Sequence, residues 1–246
     1  MKSIILILSA ALMAPAASIV VFSNPPTTAP TEVANLLAIL GTLGHTTSTF
    51  SSTSNWATNL NAGNLAIIPD LDLDLNGSLT PSQRAEIAAF VSGGRNLLVT
   101  GGSANTIDTN GFLNGVFGFS VAAAASPAQT SLNAAAATGT PFAGGPATLP
   151  PANQVFMHTT SSLPAGALSI YSAGANTSVW SQAVGAGRVI YLGHDYFTPN
   201  DANWTDVLGR AVTYGATDIP ASGVPEPGTI LLTAGALLAL VTAKRG

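Results

Sequence analysis

The sequence has no cysteine. Its absence removes disulfide frameworks, thiolate-bound zinc, iron–sulfur clusters and thiol nucleophiles, in whichever compartment the protein works. Charge is nearly as scarce: 7% of the 246 residues are Asp, Glu, Lys or Arg, against about 25% in an average soluble domain. Positive charge is scarcest. Between residues 18 and 224 there are four arginines (Arg84, Arg95, Arg188 and Arg210), no lysine and ten acidic residues, a net charge of −6. A nucleic-acid partner requires a Lys/Arg footprint on phosphates, so that function class is close to excluded, and polyanions and anionic membranes are disfavoured. What the chain has in abundance is apolar content, 47%, enough for one domain with a sizeable core.

Both ends carry addresses. Met1 and Lys2 precede an apolar run from Ile4 to Met13, and Ala14-Pro15-Ala16 supplies small residues for signal peptidase. Residues 1–17 therefore read as a signal peptide, with cleavage near Ala16 or Ala17 leaving the strand Ser18–Phe22 intact. At the other end, a linker over 220–228 contains Pro225, Glu226 and Pro227, and an apolar helix follows over 229–246, closed by Lys244 and Arg245. The fourteen residues from Ile230 to Ala243 would rise about 21 Å as a helix, short of the roughly 30 Å hydrocarbon core, which suits a transient stop better than a permanent span. The two prolines keep the preceding backbone extended for a processing enzyme, and the basic end stays cytoplasmic. This order of tripeptide, short apolar helix and basic end resembles the PEP-CTERM sorting signal of Gram-negative bacteria. The resemblance implies export, brief retention in the inner membrane, cleavage by an exosortase, and delivery to the cell surface or an exopolysaccharide and biofilm matrix.

Between the signals, Ile19–Phe22, Leu65–Ile68, Asn96–Val99 and Arg188–Leu192 are nearly continuously apolar, as strands buried on both faces are. Helical patterns alternate with them over Thr31–Leu43, Thr80–Val91, Gly111–Phe117 and Ala202–Tyr214. The alternation predicts an α/β domain over 18–219, doubly wound around a mostly parallel sheet of flavodoxin-like or glutamine-amidotransferase-like type. Thr80, Pro81 and Gln83 form a capping-box start for the second helix, Gly93-Gly94 stops it, and Ile87, Phe90 and Val91 face the core. Residues 121–150, rich in Ala, Gly, Pro and Thr, read as an insertion decorating the sheet, and the region 154–182 holds shorter strands such as Val155–His158 and Ser169–Tyr171 of undetermined direction.

In an open α/β sheet, ligands collect at the carboxyl ends of the strands, here Asn24, Asp70, Thr100–Ser103 and Gly193–Asp195. Gly187–Asp195, followed by Trp204 and a helix, together with the strand and turn Leu97–Gly102 after Gly93-Gly94, resembles class I glutamine-amidotransferase-like domains, in particular their ThuA-like branch. Those amidotransferases need a cysteine nucleophile, so that activity is excluded. Ser103, His194 and Asp195 are the candidates for a hydrolytic arrangement. Against it, Asp195 adjoins His194 and need not orient its ring, and His194 serves equally as a strand-end residue bonded to neighbouring backbone. His45 and His158 read as structural.

Asp72, Asp74 and Asn76 take positions one, three and five of an EF-hand-like loop, with Gly77 at six and Leu79 at eight. Gln83 stands where the bidentate Glu belongs, which limits any Ca²⁺ affinity to about 10⁻⁴–10⁻³ M. Read plainly, the same residues form a strand-to-helix loop with Thr80 as cap. The sequence thus predicts an exported envelope or matrix protein whose cargo domain is a non-catalytic binding or structural module. It predicts no cofactor beyond weak calcium, and signal peptidase and exosortase as processing partners. The competing reading is a secreted hydrolase or carbohydrate-active enzyme acting around His194.

Overall fold

The computed structural model describes residues 16–101, 106–124, 128–151, 156–198 and 201–217. Ser103, Pro225, Glu226, Pro227, Lys244, Arg245 and nearly all of the signal peptide lie outside the described residues.

The chain begins with β1 (Ser18–Phe22), α1 (Pro30–Thr42), β2 (Thr46–Phe50), α2 (Trp56–Leu60), β3 (Leu65–Ile68), the short turn α3 (Leu75–Ser78), α4 (Pro81–Ser92), β4 (Asn96–Thr100) and α5 (Thr106–Phe117). It continues through β5 (Thr130–Leu132), α6 (Ala134–Ala137), β6 (Thr148–Leu149), β7 (His158–Thr159), β8 (Leu168–Ala173), β9 (Asn176–Val184), β10 (Gly187–Leu192) and α7 (Ala202–Thr217). One sheet runs in the order β2-β1-β3-β4-β10-β9-β8-β5-β6, with β7 paired to β9. Pairings from β2 to β10 are parallel, and those beyond β10 are antiparallel.

Within the parallel half, β1, β3, β4 and β10 are buried on both faces, as their nearly continuous apolar runs require. Ile19, Val21, Ile67, Leu98 and Ile190 pack with α1 and α7 residues such as Leu36, Leu40, Trp204 and Leu208. The alternate residues Val20, Phe22, Ile68, Val99 and Tyr191 pack with Trp56, Ile87, Phe90 and Phe112 on the opposite face. The helix α4 starts as the sequence indicates: Thr80 Oγ1 accepts from the Gln83 amide at 3.3 Å and Gln83 Oε1 accepts from the Thr80 amide at 2.7 Å.

The mostly parallel expectation needs correcting, because half of the sheet is antiparallel. The cause is turn chemistry. Two-residue connections join β8 to β9 at Gly174 (φ 58°) and β9 to β10 at Gly185 (φ 60°), and such turns return the chain beside itself. At Gly185 a Cβ would also meet the Ser92 backbone at 2.6 Å. Part of the stretch 121–150, expected as decoration, forms the far edge through β5 and β6. The strand β2 (Thr-Thr-Ser-Thr-Phe) is an exposed, polar edge strand with no apolar run to announce it.

Candidate functional site

The chain leaves β1 for β2 on one side and returns to β3 on the other. This places a switch point between β1 and β3, where connections diverge to opposite faces and leave a crevice at the carboxyl ends. Three acidic residues from three elements meet this edge: Glu32 in the first turn of α1, Asp70 after β3 and Asp195 after β10, each at most 6% exposed. Burial, then the charges of Asp70, Asp195 and Asp72, push the Glu32 carboxyl up to about 9. Helix dipole at this N-terminal position favours the charged form, but by only about 0.3–1 kcal/mol, so desolvation and like charge win and Glu32 is protonated at neutral pH. Burial also raises Asp195 to about 6, opposed by the hydrogen bond it accepts from the Phe197 amide at 2.9 Å.

Five buried polar atoms at this edge find no hydrogen-bond partner among the described residues: Glu32 Oε2, Thr100 Oγ1, Tyr191 Oη, His194 Nδ1 and Trp204 Nε1. Each belongs to the last residues of a parallel strand, the loop behind it or the first turn of the helix that follows. The Tyr191 hydroxyl reaches the end of β4, where a Cβ on Gly101 would stand 2.4 Å from it, and the Asp70 charge adds to burial in raising its pKa. An unpaired buried polar group costs about 1–3 kcal/mol. These five belong to a set of twelve such atoms among the described residues, and a ligand of matching polarity is one way to satisfy those at this edge.

His194 is held by rings. It stacks on Trp204 at 5.0 Å between centroids and 12° between planes, and meets Tyr196 edge-on at 4.6 Å. Burial lowers its pKa to about 4, with Asp201 acting in the opposite sense, so it is neutral at pH 7. Asp195 turns its carboxylate to the Phe197 amide, while the nitrogen that a triad acid would orient, His194 Nδ1, has no partner. The loop carrying this pair is locked: Tyr196 adopts φ 61°, and Asn35 Nδ2 donates to the carbonyls of Tyr196 and Phe197 at 3.1 and 2.9 Å. Phe197 is left half exposed at the rim.

The other candidates serve the fold. Asn24 ties the ends of β1 and β2 together, donating through Nδ2 to the Ser51 carbonyl. Asp74 Oδ1 accepts from the Gly77 amide at 2.8 Å and caps α3. The Asn76 carbonyl accepts from Arg84 Nη2 at 2.7 Å, and its side chain is packed so closely on α5 that a Cβ on Gly115 would lie 2.0 Å from Oδ1. Gln83 belongs to the capping box. The EF-hand-like spacing contains a capped helical turn in which Asp74 is the cap acceptor. Among the described residues no group of three or more histidine, aspartate or glutamate side chains could hold a metal ion. His158 is fixed by Trp180 Nε1, which donates to its Nδ1 at 2.9 Å, and by Asn110 Oδ1 at 2.6 Å from its Nε2.

Sequence reasoning reached Asp70, Thr100, His194 and Asp195 but passed over Glu32, Asn35, Tyr191 and the indole of Trp204. A signal for Glu32 was present: it is the single acid in the apolar pattern of α1 and sits in its first turn.

No family model matches the chain, and a search of curated proteins finds no match. Solved structures match by fold. A ThuA-like protein from Bacteroides uniformis superposes with a TM-score of 0.58 at 14% identity over 83% of this chain and 94% of that one. The mmIFT52 N-terminal domain gives 0.58 at 12% identity, covering 81% and 97%. An exo-β-1,4-mannosidase from an Opitutaceae bacterium gives 0.50 at 16% identity, covering 82% of this chain but 35% of the enzyme. These likenesses support a ThuA-like fold for residues between the terminal segments, which agrees with the resemblance in β4 and β10.

Proposed function

We propose that this protein is an exported, non-catalytic binding module of ThuA-like fold that takes its ligand at the carboxyl edge of the parallel strands. The signal-like residues 1–17 and the PEP-CTERM-like residues 224–246 give it a route through the inner membrane to the surface or matrix of a Gram-negative bacterium, with signal peptidase and exosortase as processing partners. The single observation that carries the binding reading is the set of unpartnered buried polar atoms at Glu32, Thr100, Tyr191, His194 and Trp204, groups that a ligand with matching polarity would satisfy.

A hydrolytic reading draws on one observation, the protonated Glu32 beside other carboxyls, since a carboxylic acid kept neutral at pH 7 is the condition for general-acid catalysis. The binding reading is preferred because the Asp195 carboxylate is engaged by backbone and His194 Nδ1 has no orienting partner.

Amide shift mapping of the full chain, in nonionic detergent, against saccharides, polyols, amines and carboxylic acids tests the proposal. At least one class should move the signals of Glu32, Thr100, Tyr191 and His194. Thr100→Val should weaken that binding while leaving stability unchanged or raising it by about 1 kcal/mol, because it removes a buried hydroxyl without a partner. Shifts confined to other surfaces, or turnover of a bound glycoside that is lost in Glu32→Gln, would overturn it.

A further inference from the structure

The helices α2 and α4 pack on the same face of the sheet, through Trp56 and Leu60 from one and Ile87, Phe90 and Val91 from the other. Where they meet toward solvent their residues are small. Ala57 and Asn61 on one side and Ala89 and Gly93 on the other border a cleft of about 330 Å³, lined also by Phe90, itself 6% exposed. That volume is within the range of small-molecule sites. Two side chains of opposite charge complete the lining, Glu86 and Arg95. Each is anchored by backbone and not by the other: Glu86 Oε2 accepts from the Ala57 amide at 3.2 Å, and Arg95 Nη1 donates to the Gly63 carbonyl at 3.1 Å. A guanidinium has five N–H donors and a carboxylate about four acceptor sites, so both retain most of their capacity after these single bonds.

The two charges stand apart along the cleft. Glu86 lies beside the first turn of α2, whereas Arg95 follows the end of α4 and reaches the backbone just before β3. From Glu86 to the C-cap Gly93 the helix rises about 10 Å, with Ala89 and Phe90 between. The cleft is therefore acidic at one end, basic at the other and apolar in the middle. A simple anion gains from Arg95 and loses to Glu86, and a simple cation does the reverse. A ligand carrying both charges in the complementary order gains at both ends.

We propose that this cleft binds a dipolar ω-amino acid, a small molecule with an ammonium at one end of a short hydrocarbon chain and a carboxylate at the other. The ammonium donates to Glu86, the carboxylate accepts from the guanidinium fork of Arg95, and the chain lies along Ala89 and Phe90. The basic end of the cleft is at the amino ends of β3 and β4, away from the carboxyl edge, so this second site stands independently of the binding reading above.

Amide shift mapping of the full chain in nonionic detergent at neutral pH, with ε-aminocaproate as the probe, tests the inference. Saturable shifts in the millimolar range are expected at Ala57, Asn61, Ala89 and Gly93, while Thr100 and Tyr191 at the carboxyl edge stay still. Caproate and hexylammonium, each lacking one charge, should bind about fivefold more weakly, the upper range for a solvent-accessible ion pair, and glycine, whose charges are adjacent, should also bind more weakly. Arg95→Gln should erase the preference over hexylammonium, and Glu86→Gln the preference over caproate. Ala89→Leu, at an exposed helical position that accepts leucine, should fill the cleft and remove binding with the melting transition retained. The ligand series needs no substitution, so it decides the matter even where a charge variant weakens the fold. Absence of saturable shifts, shifts centred on other residues, equal binding of glycine or of the singly charged analogues, or binding that survives Ala89→Leu would overturn the inference and leave the carboxyl-edge reading untouched.

Discussion

Glu32 shows how one residue can set the character of the whole edge. A carboxyl raised to about 9 when folded, from 4.5, contributes stability that is complete below pH 4.5 and declines as pH rises toward 9. The buried histidines act on the other side. His158, lowered to about 3, and His194, lowered to about 4, resist the proton that the unfolded chain takes up below 6.5, so stability falls as pH drops from 6.5 toward those values. Asp195, raised to about 6, adds to the loss between its ordinary value and 6. Together these four groups place maximal stability on the acid side of neutrality, between about pH 4.5 and 6.5, with a decline at alkaline pH that belongs to Glu32. Glu32→Gln should remove that decline, stabilising the protein by about 2–4 kcal/mol at pH 8 and changing it little at pH 4. Melting curves across this range provide the check, and a Glu32→Gln gain independent of pH would contradict the assignment.

At the scale of elements, legibility tracked local chemistry. The inner parallel strands β1, β3, β4 and β10 and the helix α4 could be read because each carries its own signature: nearly continuous apolar runs buried on both faces, and the Thr80–Gln83 box. Thr80→Ala should cost about 1 kcal/mol by removing the acceptor for the Gln83 amide, measurable by denaturant titration, and an unchanged midpoint would mean the start of α4 is held by packing alone. β2 and β5 were not legible, since a short polar strand at an edge is defined by its neighbour and not by its own sequence. The Asp72–Gln83 spacing carries two readings for a related reason: the same oxygen-bearing residues that ligate calcium in one loop cap helices in another, and here Asp74 caps α3. The site was half legible. Residues that follow strands could be placed on the carboxyl edge by topology, whereas Glu32, Asn35 and the Tyr191 hydroxyl arrive there from within helices and strands.

For the whole molecule, the ThuA-like fold and the two proposed terminal signals, which lie outside the described residues, are tested separately. The route is testable in native cells: replacing Pro225, Glu226 and Pro227 by alanine should leave the protein in the inner membrane with its tail attached, while the mature N-terminus still begins near Ala17 or Ser18. Unchanged release and fragment mass would refute the exosortase route without touching the domain. What the domain does depends on whether its fold really assembles an uncharged acid among charged ones at the switch point of the sheet. The direct measurement is a pH titration of the Glu32 side-chain carboxyl by ¹³C NMR in the full chain. The account predicts a midpoint near 9 that falls on Asp70→Asn or Asp195→Asn. A midpoint near the ordinary 4.5, insensitive to those substitutions, would contradict it.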